Sequence, residues 1–143
     1  MKPLQIVVDT SVVIAAMRSK GGVSNAFLRL LNDPRVKFHI SNALLLEYEE
    51  VLRREQNALD LTDQDIDDLL DGFCAMSEKH YRLFTWRPVS GDPDDDFVVD
   101  LALSARVDYL VTYNPRDLQF VEKYGIKILT PRQVLDILRN TTT

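Results

Sequence analysis

Short apolar runs of strand length alternate along the chain with segments whose apolar residues recur at helical spacing. The first run, residues 4–8, is apolar at nearly every position, as is typical of a strand buried on both faces. Further strands are predicted over residues 36–40, 81–85, 108–112 and 126–129. Helices are predicted between them, ending near residues 17, 33, 54, 76, 105 and 124, and a last one opens at Thr130-Pro131. The alternation indicates a single α/β domain over residues 1–143, with a mainly parallel sheet covered on both faces.

The charge balance and the cysteine count narrow the function classes. Against 17 Lys and Arg stand 22 Asp and Glu, a net charge of −5, so any nucleic-acid role must be local rather than based on overall charge. The single cysteine, Cys74, excludes an internal disulfide and fits a reducing compartment. No apolar run is long enough to cross a bilayer, and the N-terminus lacks a secretory pattern. We therefore expect a cytoplasmic protein without membrane association.

Acidic residues follow several of the predicted strands. Asp9 comes directly after the first strand, and an aspartate run over residues 92–96 leads into the helix ending near residue 105. Asp117 lies in the loop after residues 108–112, and Glu47 lies on the helix after residues 36–40. The carboxyl ends of parallel strands meet at one edge of a sheet, where ligands bind. Clustered carboxylates repel one another unless a hard cation such as Mg²⁺ or Mn²⁺ neutralises them. A metal held in this way can promote phosphodiester hydrolysis.

Helical spacing ranks some of these acids and leaves others open. Counting from Asp95 along the helix gives a small apolar stripe at residues 98, 99 and 102. This favours Asp95 as the inward-pointing acid, with Asp96 or Asp92 as an outer ligand. On the earlier helix, Glu47 and Glu49 flank the apolar stripe on opposite edges, and geometry does not choose between them.

Structural roles compete with the functional ones at several positions. Asp9 is also suited to cap the helix that follows it. Tyr113 could stack on a nucleobase or serve in packing. The two histidines, His39 and His80, lie in segments without a partner at metal-ligand spacing, so we interpret them as ordinary strand residues.

Four motifs, in order and spacing, resemble the PIN-domain ribonucleases, in particular the VapC-like toxins of prokaryotic type II toxin–antitoxin pairs. The resemblance covers nearly the whole chain. The motifs are the strand ending in Asp-Thr-Ser (residues 7–16), the Ser-Asn helix start with its glutamate (41–48), the Asp-Pro-Asp-Asp-Asp run (92–103) and the Thr-Tyr-Asn-Pro-Arg-Asp segment (110–118). The second motif favours Glu47 over Glu49. In the fourth, Tyr113-Asn114 stands where relatives in this branch often have Gly-Asp, so either Asn114 or Asp117 could be the fourth ligand.

The resemblance implies a three-layer α/β/α fold and a Mg²⁺- or Mn²⁺-dependent endoribonuclease. It also implies a frequent homodimer and inhibition by a cognate antitoxin protein. The acids that it assigns to catalysis and metal binding are Asp9, Glu47, Asp95 and Asp117, with Asp96 as a further metal ligand. The neighbours that would orient ligands or waters are Ser11, Thr112, Asn114 and Asp92. The alternative is a non-catalytic PIN-like module that binds protein or RNA.

Overall fold

Five parallel strands form one sheet in a computed structural model, which describes residues 2–81 and 96–140. The strands are β1 (Leu4–Val8), β2 (Val36–Ser41), β3 (Ser77–His80), β4 (Tyr109–Val111) and β5 (Lys127–Leu129). The helices are α1 (Thr10–Arg18), α2 (Val23–Arg29), α3 (Asn42–Arg54), α4 (Asp63–Met76), α5 (Asp96–Ala105), α6 (Pro115–Leu118) and α7 (Pro131–Asn140). Short 3-10 turns follow α2 and α6 at Leu30–Asn32 and Gln119–Tyr124.

The central strand β1 is buried on both faces. Its residues Ile6, Val7 and Val8 are all completely inaccessible to solvent, and consecutive strand residues point to opposite faces. Helices therefore flank both faces of the sheet, and the α/β fold predicted from the alternating pattern is confirmed. Within the part of the chain that the structure describes, no helix has the length and apolarity needed to cross a membrane.

Capping residues set the start of the two helices that follow β2. The hydroxyl of Ser41 accepts a hydrogen bond from the amide of Leu44 at 3.1 Å and begins α3. Thr62 and Asp65 form a reciprocal capping box at the start of α4, as expected for a threonine followed three residues later by an acid.

One strand of the sheet lies at residues where the sequence predicted none. The strand that pairs with β2 is Ser77–His80, whereas the apolar pattern predicted residues 81–85. Tyr81 lies beyond the strand, and residues 82–85 lie outside the described residues. Because β3 is a polar edge strand that begins directly after α4, neither apolar alternation nor an intervening turn marks it.

The strand order places the reversal of the chain path between β1 and β4. From β1 the chain moves outward through β2 to β3, then returns to β4 on the other side of β1 and continues to β5. In open α/β sheets, the crevice outside the strand ends at such a reversal is where ligands bind. Asp9 and Thr112 directly follow β1 and β4, so both lie at this crevice.

Candidate active site

Two hydroxyl groups hold the carboxylate of Asp9. Thr112 and Ser11 each donate a hydrogen bond to Oδ2 of Asp9 at 2.7 Å. Thr112 is fully buried and Asp9 is only 5% exposed, so side chains from two distant parts of the chain fix this carboxylate. Among the residues that the structure describes, none donates a hydrogen bond to Oδ1 of Asp9, which leaves that oxygen for a ligand.

Asp9 occupies the N-cap position of α1 without capping the helix. Its backbone is extended, but its side chain makes no hydrogen bond to the amides of the first turn. A capping aspartate would accept one from the second or third helical residue. The capping interpretation of Asp9 is therefore not what the structure shows, and the carboxylate faces Ser11 and Thr112 instead.

The same two hydroxyls also anchor the loop that follows β4. The amide of Asn114 donates to Oγ1 of Thr112 at 2.9 Å, and the amide of Tyr113 donates to Oγ of Ser11 at 3.2 Å. Each hydroxyl thus accepts a hydrogen bond from the loop and donates one to Asp9. The hydroxyls of Ser11 and Thr112 therefore link the carboxylate of Asp9 to the loop after β4.

Glu47 reaches the same groove from α3. The hydroxyl of Thr10 donates to Oε2 of Glu47 at 3.0 Å, which ties α3 to the start of α1. The carboxylate of Glu49 instead pairs with Arg53 at 2.9 Å. The structure therefore brings Glu47, rather than Glu49, to the groove that Asp9 lines.

A buried tyrosine is hydrogen-bonded to the backbone next to Asp9. The hydroxyl of Tyr48, on the buried face of α3, donates a hydrogen bond to the carbonyl of Val8, the residue before Asp9. Burial, reinforced by the nearby charges of Asp9 and Glu47, raises the pKa of Tyr48 well above its usual value. Tyr48 consequently remains a protonated donor and fixes the strand end that carries Asp9.

Around these acids lies an open groove of about 490 Å³. Its walls come from α1, α3 and the loop after β4. Its lining residues are Asp9, Thr10, Ser11, Ile14, Ala15, Arg18, Glu47, Val51, Tyr113 and Asn114. The groove thus combines two carboxylates with an arginine and an aromatic ring.

A sequence profile of the PIN domain family matches residues 5–116, most of the chain. The chain belongs to the PIN domain family. The resemblance indicated by the four motifs is thereby confirmed. The matched range of this PIN domain contains Asp9, Glu47 and Thr112 and ends one residue before Asp117. None of the curated proteins compared with it matches in sequence.

Solved structures share the fold of this PIN domain. VapBC-1 from nontypeable Haemophilus influenzae has a TM-score of 0.62 at 15% identity, covering 90% of this chain and 99% of that chain. DNA-bound VapBC from Salmonella typhimurium has a TM-score of 0.61 at 19% identity, covering 90% and 98%. VapBC2 from Rickettsia felis, bound to a DNA fragment from their promoter, has a TM-score of 0.61 at 13% identity, covering 89% and 98%. At these identities the likeness establishes the PIN-like fold.

The acids of this PIN domain have the chemistry of a partial hard-cation site. Asp9 and Glu47 supply carboxylate oxygens, the ligand type that Mg²⁺ and Mn²⁺ prefer, and hydroxyl donors orient both groups. Within residues 2–81 and 96–140, no group of three or more His, Cys, Asp or Glu is placed to hold a metal. Asp9 and Glu47 therefore fit such an ion as part of a larger ligand set.

The remaining predicted acids either lie outside the described residues or are not among the lining residues of the groove. Asp92 and Asp95 lie outside the described residues, and Asp96 is the first residue of α5. Asp117 is exposed in the first turn of α6. Of the two candidates for a fourth ligand, the described lining of the groove contains Asn114 and not Asp117.

The two histidines, interpreted from the sequence as ordinary strand residues, contact each other. Nδ1 of His39 lies 2.7 Å from Nε2 of His80, and Nε2 of His39 lies 2.6 Å from Oε1 of Gln5. Burial, followed by the nearby ring of His80, lowers the pKa of His39 to about 4. The sequence carries one polar residue, Gln5, in the otherwise apolar β1 and a histidine in each of β2 and β3, but their contact depends on the strand order and register.

Proposed function

We propose that this PIN domain is an endoribonuclease that hydrolyses RNA phosphodiester bonds with Mg²⁺ or Mn²⁺. The observation that carries the proposal is the pair of carboxylates, Asp9 and Glu47, in one groove at the reversal of the strand order. Membership of the PIN domain family supports it, since this family typically consists of metal-dependent nucleases. A carboxylate that is buried, held by two hydroxyls and not used to cap its helix is suited to bind a cation.

Each residue of the site has a proposed role. Asp9 and Glu47 hold the cation, with Asp95, Asp96 and either Asp117 or Asn114 completing the ligand set. On this proposal Asp92 has an outer role and orients ligands or waters. The bound cation supplies charge stabilisation and lowers the pKa of water for attack on the phosphorus. Ser11 and Thr112 keep Asp9 oriented through their hydrogen bonds. The carboxylate of Glu47 orients the attacking water and accepts its proton.

We further propose that this nuclease is the toxin of a toxin–antitoxin pair in the cytoplasm. The support is its fold, which it shares with structures of VapBC complexes from three bacteria. On this proposal an antitoxin protein binds and inhibits it, and the active species is a homodimer.

The Asp9→Asn variant tests the nuclease proposal. Asparagine retains an oxygen that accepts hydrogen bonds from Ser11 and Thr112, so the fold is retained while the negative charge is lost. We expect metal-dependent cleavage of RNA to fall by more than about 100-fold, since even the outer partners of metal ligands are worth about 10–100-fold. Asp71→Asn, an exposed aspartate on α4, is the matched control and should cleave like the wild type.

Thermal unfolding with added Mn²⁺ gives a readout that is independent of cleavage. Saturation at 100 times the dissociation constant stabilises a binding protein by about 2.7 kcal/mol. The wild type and Asp71→Asn should gain this stability, and Asp9→Asn should gain much less. Undiminished cleavage by Asp9→Asn would overturn the proposal. A wild type that neither cleaves RNA nor gains stability with Mn²⁺ would favour the non-catalytic binding module instead.

A further inference from the structure

Tyr113 presents a fixed aromatic ring at the rim of the groove that contains Asp9. Its hydroxyl lies 2.6 Å from Oγ of Ser24, a buried residue of α2. Its backbone amide donates to Oγ of Ser11, which itself donates to Asp9. Although it is tied at both ends, the side chain remains 43% exposed. The ring is therefore held in position without being buried in the core.

Exposure alone does not distinguish Tyr113, because exposed tyrosines are common on protein surfaces. Tyr124, for example, is 47% exposed, and it lies before β5, near the amino-terminal edge of the sheet. Its ring contacts the ammonium group of Lys123, 5.7 Å from the ring centroid. Tyr113 differs because its ring borders the groove of the two candidate catalytic acids, while its hydroxyl is hydrogen-bonded to α2 and its backbone amide to α1.

A positively charged side chain, that of Arg18, lies in the same groove. Arg18, in the last turn of α1, lines it together with Tyr113 and Asp9 and is exposed. Within the described residues Arg18 forms no ion pair, whereas Arg53 is held by several acids of α3 and α4. The guanidinium of Arg18 is thus available for an anion such as a phosphate.

We propose that the groove binds single-stranded RNA, with one unstacked nucleobase on the ring of Tyr113 and a neighbouring phosphate at Arg18. The inference rests on the proposed function in taking RNA as the ligand of this groove. A tyrosine ring stacks with any base, because every base has a π face, and such stacking contributes about 1–3 kcal/mol per base. A duplex keeps its bases stacked on one another and offers none to Tyr113.

Binding of 12-nucleotide RNAs, measured by fluorescence anisotropy in EDTA, tests the inference without any cleavage. The probes are a single strand of mixed sequence, a strand of the same length made of abasic tetrahydrofuran phosphates, and a 12-base-pair duplex. The variants are Tyr113→Ala, Tyr113→Phe and Arg18→Gln. Tyr124→Ala is the matched control, since it removes a similarly exposed ring far from the groove. Thermal unfolding checks that each variant is folded.

The two residues should weaken binding in different ways. Tyr113→Ala should lower affinity for the normal strand by about 5- to 150-fold, the equivalent of about 1–3 kcal/mol, and leave the abasic strand and the duplex unchanged. Tyr113→Phe should retain most of the affinity, because it keeps the ring. Arg18→Gln should weaken the normal and abasic strands equally and reduce the slope of log affinity against log salt by about 0.7.

Equal affinity of wild type and Tyr113→Ala for the normal strand would overturn the inference, as would equal losses on the normal and abasic strands. The outcome is separable from that of the nuclease proposal. Cleavage by the wild type with no base-dependent role of Tyr113 removes only this inference. Base-dependent binding at Tyr113 in a wild type that cleaves nothing removes only the nuclease.

Discussion

Lowering the pH should destabilise this PIN domain through His39. The ring is 5% exposed and hydrogen-bonded to Gln5 and His80. Burial and then the ring of His80 lower the pKa of His39, as Lys37 also does to a smaller extent, while the carboxylates of Glu78 and Asp108 act in the opposite direction. The result is a folded-state pKa of about 4, against 6.5 for an exposed histidine.

The sign follows from which state binds the proton more tightly. Since the pKa is lower in the folded protein, the unfolded chain takes up the proton first as the pH falls. The contribution of His39 to the free energy of unfolding is therefore fully present above pH 6.5 and is lost between about pH 6.5 and pH 4. With these two pKa values, linkage gives a loss of about 2 kcal/mol between pH 7 and pH 5 from this one residue.

Urea unfolding followed by circular dichroism at pH 7, 6 and 5 measures the effect against the His39→Gln variant. The variant has no titrating group at this position, so it isolates His39 from the carboxylates that titrate in the same range. We expect the wild type to lose about 2 kcal/mol more than the variant between pH 7 and pH 5. A Glu78→Gln variant keeps His39 and should retain the wild-type direction of the pH dependence. If the wild type and His39→Gln lose stability in parallel, the assignment of the low pKa to His39 is refuted.

Two further pairs of variants test the buried hydrogen bond of Tyr48 and the backbone conformation of Gly125. Tyr48→Phe removes the donor to the carbonyl of Val8 and should cost about 1–3 kcal/mol in urea unfolding, because a buried acceptor loses its partner. Tyr81→Phe, which changes an exposed ring, should be neutral, and equal stability of both variants would contradict this reasoning. Gly125→Ala should lower the free energy of unfolding by about 1–2 kcal/mol, because the φ angle of Gly125 is +87°. Gly72→Ala, inside α4 and with open space around the new methyl group, should raise it by about 0.5–1 kcal/mol. A gain in stability at both glycines would contradict the role of the positive φ.

Local sequence signals were sufficient wherever an element is specified by its own residues. The apolar run of residues 4–8 and the capping box at Thr62 marked the starts of β1 and α4, and the Ser-Asn pair at residues 41–42 marked the start of α3, which Ser41 caps. The position of Asp9 followed directly, because it is the residue after a buried strand. Helical geometry alone could not choose between Glu47 and Glu49, since that choice depends on side chains from other turns and segments: Thr10 contacts Glu47, and Arg53 contacts Glu49.

Contacts between distant segments were beyond local patterns. His39 meets His80 across 41 residues, and Ser24 meets Tyr113 across 89, so both pairs depend on the strand order and on how α2 packs. The strand β3 was missed for a related reason. Its polar residues pair with β2 at the sheet edge, and no turn residue separates it from α4.

The contacts of Asp9 indicate that its carboxylate serves to bind a ligand in the groove rather than to stabilise α1. An aspartate at the N-cap of a helix can contribute about 1 kcal/mol by bonding to the first-turn amides. In α1 that contribution is forgone, and the carboxylate is turned toward two hydroxyls that themselves anchor the loop after β4. No basic side chain of the described residues forms an ion pair with Asp9, so the protein itself leaves the charge uncompensated by a cation there. The N-cap hydrogen bond of α1 is thus missing at the crevice where the strand order reverses, and the loss of a stabilising interaction at such a crevice is expected of a binding site.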